Sequence, residues 1–234
     1  EAIFYSPSET SFVDWRGLAL TTERPGVRQL FEDDDALVKA LRADRPVVEA
    51  VTEPVFSGKA SLKMNAGVTE ASQCFEPPAA VVELPKLGQY RFLVFAWQGT
   101  GERLVLRLAH EGRLGTSIAE GLIGRGVPAR NRLRRRSIED RGLRYGFSYD
   151  IGSQKPEDLP PLRLERVVPK DWRFESRDLF GDFGALQLTG LGVECAEGST
   201  GYFDHIYLAR TPQDVDSLRN YRVASKSPPA NPDP

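Results

Sequence analysis

Two histidines, two cysteines, a scatter of carboxylates, one run of arginines and a few paired aromatics hold the chemistry that this sequence could perform. A serine–histidine–carboxylate site needs an imidazole placed by the fold, and only His110 and His205 are available. His205 sits in the apolar pattern FDHIYL and reads as a structural strand residue, while His110 closes a strand before EGRLG and reads as a turn residue. No GxSxG, HExxH or Walker element occurs, and GLIGRG (121–126) lacks the lysine of a phosphate loop. Paired acids could serve glycoside chemistry, and Glu49, Glu53, Glu83, Glu165 and Glu175 lie on strand-like stretches. They form no tight cluster on one strand face, so they read as the solvated side of a sheet, and catalysis is not expected.

Cys74 and Cys195 lie in no CxxC pattern and have no nearby histidine, which argues against zinc. They are either one long-range disulfide or two buried thiols. Eight arginines fall between Arg125 and Arg144, among them Arg130, Arg132, Arg134, Arg135 and Arg136. Guanidinium groups bind carboxylate, sulfate or phosphate in a bidentate manner, so this stretch fits a polyanion or an acidic protein partner. It also fits a solvated loop, since the whole chain carries 24 Arg against 7 Lys. With a net charge of −2, general attraction to nucleic acid or an anionic membrane is not expected.

Aromatic rings can stack on the C–H faces of sugars. Tyr145, Phe147 and Tyr149 alternate along one strand and share one face, the most platform-like set in the chain. Trp172 begins a strand after a turn and can stand in the core or at a surface. In FLVFAWQ both faces are apolar, so this strand is expected to be central and covered, with Trp97 in the core.

The elements that must position these groups are mostly strands. Gly and Pro together make 38 of 234 residues, spread evenly, which favours short strands and turns over long helices. Strand patterns run over 46–53, 59–66, 80–85, 89–98, 103–110, 143–151, 161–168, 171–179, 186–196 and 201–210, with short candidates at 12–15 and 17–21. In RLVLRLAH, Leu104, Leu106 and Leu108 oppose Arg103, Val105 and Arg107, the alternation of a half-exposed antiparallel strand. A helix is expected over 32–44, with three aspartates at its positive end and Pro46 beyond it, and a short one over 211–220. The reading is all-β: an antiparallel β-sandwich with one or two short peripheral helices. Residues 1–45 form a lead-in, 46–220 the sandwich with its arginine-rich insertion at 124–144, and 221–234 a Pro-rich tail. No apolar run approaches a membrane span. A chain that starts at Glu1 and has one Met reads as a mature or excised segment of a longer protein.

Several strings occur together and in order: VFSGKASLKM (55–64), LGQYRFLVFAWQGTG (87–101), PKDWRFESRDLFGDFG (169–184), LTGLGVECAEGSTGYFDHIYLAR (188–210) and TPQDVDSL (211–218). Over roughly 46–218 the chain resembles a galactose-binding-like jelly-roll domain of large secreted or periplasmic planctomycete proteins. The resemblance implies a non-catalytic carbohydrate-binding or adhesion module, in the periplasm or outside the cell, whose ligand is an oligo- or polysaccharide or a neighbouring protein. The alternative role is an assembly subunit docking a partner through its arginines. Gln98 stands where the family usually has Lys, and the arginine-rich stretch is an addition. The resemblance also implies a structural calcium held by carbonyls near Ser57 to Lys59, by Asp204 and by Glu53. Otherwise Asp204 would accept hydrogen bonds from the amides of that turn.

Overall fold

The computed structural model describes residues 26–33, 35–42, 48–71, 73–112, 114, 147–153 and 162–226. The candidate strands at 12–15 and 17–21, Tyr145 and the arginine-rich stretch lie outside the described residues. Among the described residues eleven strands and three helices follow one another. They are β1 (Val27–Phe31), α1 (Asp35–Arg42), β2 (Val48–Val51), β3 (Ser61–Ala71), β4 (Ala79–Val81), β5 (Gln89–Tyr90), β6 (Phe92–Thr100) and β7 (Arg103–His110). Then come β8 (Phe147–Gly152), β9 (Leu162–Glu165), β10 (Arg173–Asp178), α2 (Leu179–Phe183), β11 (Leu186–Ala209) and α3 (Pro212–Lys226).

The strands make a β-sandwich from one connected sheet, ordered β10-β6-β11-β7-β8-β9, with β1, β3 and β4 also joined to β11. Pairing is antiparallel except for β4 with β5 and β8 with β9, which are parallel, so the sheet is mixed where an all-antiparallel one was expected. The two stretches read as separate strands, 186–196 and 201–210, are one strand, β11. Its first half pairs with β7 and its second half with β6. Between them the register against β3 jumps, Cys195 facing Gly67 and Thr200 facing Asn65. The EGSTG signal therefore marks a bulge and not a hairpin turn, with Gly198 taking φ +72° at its crest.

Alternation along the strands places the core. Leu104, Leu106 and Leu108 of β7, Phe95 and Trp97 of β6, and Leu191, Val193 and Phe203 of β11 are buried between the layers. Trp97 is a core residue on a central strand, as the two apolar faces of β6 required. The other face of β7 is not bare: Val105 is buried there, and Arg103 pairs with Asp150 (2.8 Å) and Glu194 (3.0 Å), while Arg107 holds the second Glu194 oxygen (2.6 Å).

Two boundaries shift. β1 lies inside the stretch read as a lead-in, yet it pairs with Ile206–Ala209 of β11 and so belongs to the sheet. α3 continues to Lys226, inside the stretch read as a tail. Its start is a reciprocal cap: the Asp214 amide donates to Thr211 Oγ1 (3.2 Å) and the Thr211 amide to Asp214 Oδ2 (2.9 Å). Val215 and Leu218 of α3 cover Val27, Val94, Tyr207 and Ala209 on the outer face of the sheet. α1 buries Leu37, Val38 and Leu41.

The cysteines are both free, so the disulfide is not formed. The Cys74 thiol meets the backbone of Leu191, four positions along β11 from Cys195. At about 3.3 Å per residue that is roughly 13 Å, about twice what a disulfide spans. Burial pushes the Cys195 thiol up to about 12. Because Leu106 is fully enclosed between the layers, Leu106→Ala should lower unfolding free energy by about 2–5 kcal/mol in urea titration, with the slope unchanged.

Candidate functional site

The densest buried polar cluster grows from a second irregularity in β11. Asp204 faces Ala96 and Tyr207 faces Val94, so His205 and Ile206 together oppose Phe95. His205 takes φ +54°, in the left-handed region that residues other than glycine seldom adopt. This bulge keeps Ile206 in the core and turns Asp204, His205 and Tyr207 to the outer face. Asp204 and His205 are nonetheless 0% exposed. The loop 52–60 and the residues after β1 cover them.

Asp204 holds that loop. Its Oδ2 accepts from the amides of Phe56 (2.8 Å) and Ser57 (3.2 Å), and its Oδ1 from the His205 amide (2.7 Å). Asp33 accepts from the amides of Lys59 and Ala60 in the same way. It thereby anchors the loop, although it was expected to favour the helix dipole. Burial, with Glu32 nearby, outweighs the amide donors and pushes the Asp204 carboxyl up to about 7.

Ser57, His205 and Glu32 have the composition of a nucleophile, base and acid, but not the geometry. Ser57 Oγ lies 2.8 Å and Glu32 Oε2 3.1 Å from the same ring nitrogen, Nδ1. A relay needs the acid on one nitrogen and the hydroxyl on the other. A carboxylate oxygen accepts, so the proton belongs on Nδ1, and Ser57 Oγ shares it as a second acceptor. The serine is thus not activated, and none of the three groups reaches solvent. The cluster ties β1, the loop and β11 together, so His205 is a structural strand residue.

Above it stands an aromatic stack. Phe56 meets Trp172 edge-on (5.8 Å), Phe174 nearly parallel (6.1 Å) and the His205 ring at 5.5 Å. Trp172 is half-buried at the rim, and its Nε1 is buried with no hydrogen-bond partner. The Arg219 guanidinium covers Phe174 at 5.2 Å.

The other sequence-derived positions disperse. Phe147 and Tyr149 share a face as expected, but it is the inner one: they are 4% and 0% exposed, and the Tyr149 hydroxyl donates to Asp182 (2.8 Å). Rings enclosed on both sides offer a sugar nothing to stack on, so that platform is corrected to core. Tyr145 and Arg130, Arg132, Arg134, Arg135 and Arg136 lie outside the described residues. Glu49 pairs with Lys63, and Glu165 and Glu175 both contact Arg173. The calcium donors do not fit an oxygen cage. Both Asp204 oxygens point at amide hydrogens, Glu53 is exposed, and among the described residues no three Asp, Glu, His or Cys side chains converge. Glu32 and Ser57 were missed, because their meeting with His205 depends on a bulge that residue types do not announce.

No protein-family model matches the chain, and no curated protein matches it significantly. Among solved structures it is similar to a carbohydrate-binding module, TmCBM61, determined in complex with β-1,4-galactotriose. That likeness has 13% identity and a TM-score of 0.32 and covers 72% of this chain and 85% of that one.

Two outcomes follow from the cluster. A carboxyl raised above its unfolded value stabilises the fold below the unfolded pKa, and that contribution is lost as pH rises through the folded one. Asp204 titrates from 3.8 unfolded to about 7 folded. The stability advantage of wild type over Asp204→Asn should therefore shrink between about pH 4 and pH 7, as read from urea unfolding at each pH. Melting curves recorded with EGTA and with added calcium should coincide, and a calcium-dependent rise would restore the cage.

Proposed function

We propose that this domain is a non-catalytic carbohydrate-binding or adhesion module of a larger exported protein. The observation that carries the reading is Trp172. It is a half-buried ring backed edge-on by Phe56, which itself stacks on Phe174. A ring stiffened from behind and open in front stacks on a sugar with little conformational entropy to lose. The Ser57–His205–Glu32 arrangement supports a binding role over a catalytic one, since Ser57 and Glu32 meet the same imidazole nitrogen and no relay runs through the ring. The periplasmic or extracellular setting rests on the sequence resemblance. Among the described residues no helix is long and apolar enough to cross a membrane.

The test is a glycan array on wild type, Trp172→Ala and Trp172→Phe, each checked for folding by circular dichroism. Wild type should bind at least one neutral glycan. The alanine variant should bind it at least about tenfold more weakly, about 1.4 kcal/mol, with partial recovery in the phenylalanine variant. A folded wild type that binds no neutral or anionic glycan refutes the reading.

A further inference from the structure

The loop 52–60 closes a hairpin. β2 ends and β3 begins on a paired couple, Val51 and Ser61, and the residues between them belong to no ladder. The loop can therefore lift about that couple without breaking a strand pairing. It folds back over the outer face of the sheet, where Phe174 and Asp204 flank Ala96 from either side. Phe56 lies over this row, 6.1 Å from the Phe174 ring and 5.5 Å from the His205 ring. Two carboxylates hold the loop down by its amides. Phe56 and Ser57 donate to Asp204, and Lys59 and Ala60 donate to Asp33.

The two carboxylates differ in their surroundings. Asp33 is exposed, whereas Asp204 is fully enclosed and has the buried Glu32 as its charged neighbour. β11 adds His205 and, against that ring, Tyr207; β6 adds only Ala96. Glu49 of β2 and Lys63 of β3 are paired with each other, Glu53 and Lys59 of the loop are exposed, and Arg219 of α3 lies over Phe174. Two buried carboxyls thus share one imidazole, and Glu32 Oε1 is buried without a hydrogen-bond partner. One imidazolium cannot neutralise two carboxylates, so closure favours a proton on a carboxyl. Burial and then Glu32, against three amide donors, push the Asp204 carboxyl up to about 7. That proton spares the loop: with it on Oδ1, Oδ2 still accepts from both the Phe56 and Ser57 amides.

We propose that the 52–60 loop is a latch that a proton on Asp204 keeps closed, and that loss of this proton lets the loop lift and carry the Phe56 wall away from Trp172. In the lifted loop water reaches the carboxyl, and its ordinary value of 3.8 returns. Closure then takes up one proton between about pH 4 and pH 7. The ratio of lifted to closed loop rises by up to about tenfold per pH unit across that window and levels off above it. Lifting also uncovers the Phe56 ring, which is 1% exposed when closed, so the lifted form stays a minority. That the wall serves a sugar-binding surface rests on the proposed function; the latch does not.

Native-state hydrogen exchange on the full 15N-labelled chain reads the latch without any sugar. Protection of the Phe56 and Ser57 amides, corrected for intrinsic exchange, should be lower than that of the Leu106 amide on β7. It should fall by up to about tenfold per pH unit from about pH 4 to pH 7, and in Asp204→Asn it should not change with pH. The Trp172 indole N–H, buried in the closed form and assigned through Trp172→Phe, should follow the same course. In Glu32→Gln the levelling point should move to lower pH, and this variant carries the test if Asp204→Asn does not fold. Phe56 and Ser57 amides that open only together with Leu106, or a pH slope kept in Asp204→Asn, overturn the latch. So does an indole N–H that ignores the slope, since the wall would then not move with the loop. A glycan array without binding removes the sugar reading and leaves the latch; flat exchange removes the latch and leaves the sugar reading.

Discussion

The fold depends on a strand that is too long for it. β11 has 24 residues, about 80 Å if straight, whereas a domain of roughly 200 residues is about 40 Å across. Its backbone must hydrogen-bond along its whole length and must also turn from one layer into the other. The bulge at 196–199 meets both demands: β3 pairs with β11 on either side of the break and follows it round the corner. The partners of the first half alone, β4 and β7, then go with one layer and those of the second half alone, β1 and β6, with the other, while β3 spans the corner, which is how a single connected sheet encloses a core. The strand that organises the molecule is therefore continuous in hydrogen bonding and discontinuous in register.

The second bulge has a different consequence. By setting two residues against one, it aims Asp204 and His205 at a face that another part of the chain then buries. Burying a carboxyl and an imidazole is costly unless their partners are supplied. Here the supply comes from backbone amides of the 52–60 loop and from Glu32. The cost is thus converted into a clamp that fixes a loop of little regular structure over the sheet. Phe56 rides on that loop, so the clamp also sets the wall behind Trp172. A polar cluster that never meets solvent in this way governs the shape of a surface that does.

Much of the sandwich was legible because alternation is local. β7 came out at its observed bounds, and the two apolar faces of β6 identified a covered central strand with Trp97 inside. What stayed hidden depends on which neighbour a face meets. Phe147 and Tyr149 were rightly placed on one side of one strand, but a period of two does not say which side is inside. The partner strand β7 decides that by setting Leu106 against Tyr149 and Leu108 against Phe147. β1 escaped because five residues gain their meaning only from pairing with β11 far along the chain. The cysteines were open to either reading because spacing in sequence says nothing of the distance between Leu191 and Cys195 along one strand. Of the two readings of Asp204, hydrogen bonding to the turn amides is the one realised.

The same distinction, between polar groups already partnered and polar groups left open, runs through the buried polar atoms of the domain. Asp150, Glu194, Arg103 and Arg107 are mutually paired across three strands. Asp204 and Asp33 are committed to amides, and Ser57 and Glu32 to one imidazole nitrogen. Among the described residues Trp172 Nε1 and Trp97 Nε1 are buried without a hydrogen-bond partner, as are Glu32 Oε1 and Asp150 Oδ1. Both indoles lie beside β10, which among the described residues pairs with β6 alone. An edge strand escapes the averaging that a central strand undergoes between two neighbours, and its side chains can be spared for recognition without loosening the ladder. The proposed recognition surface at Trp172 lies beside β10, where the described sheet ends, and the bulged strand at the centre, through its clamp on the 52–60 loop, holds the Phe56 wall behind it.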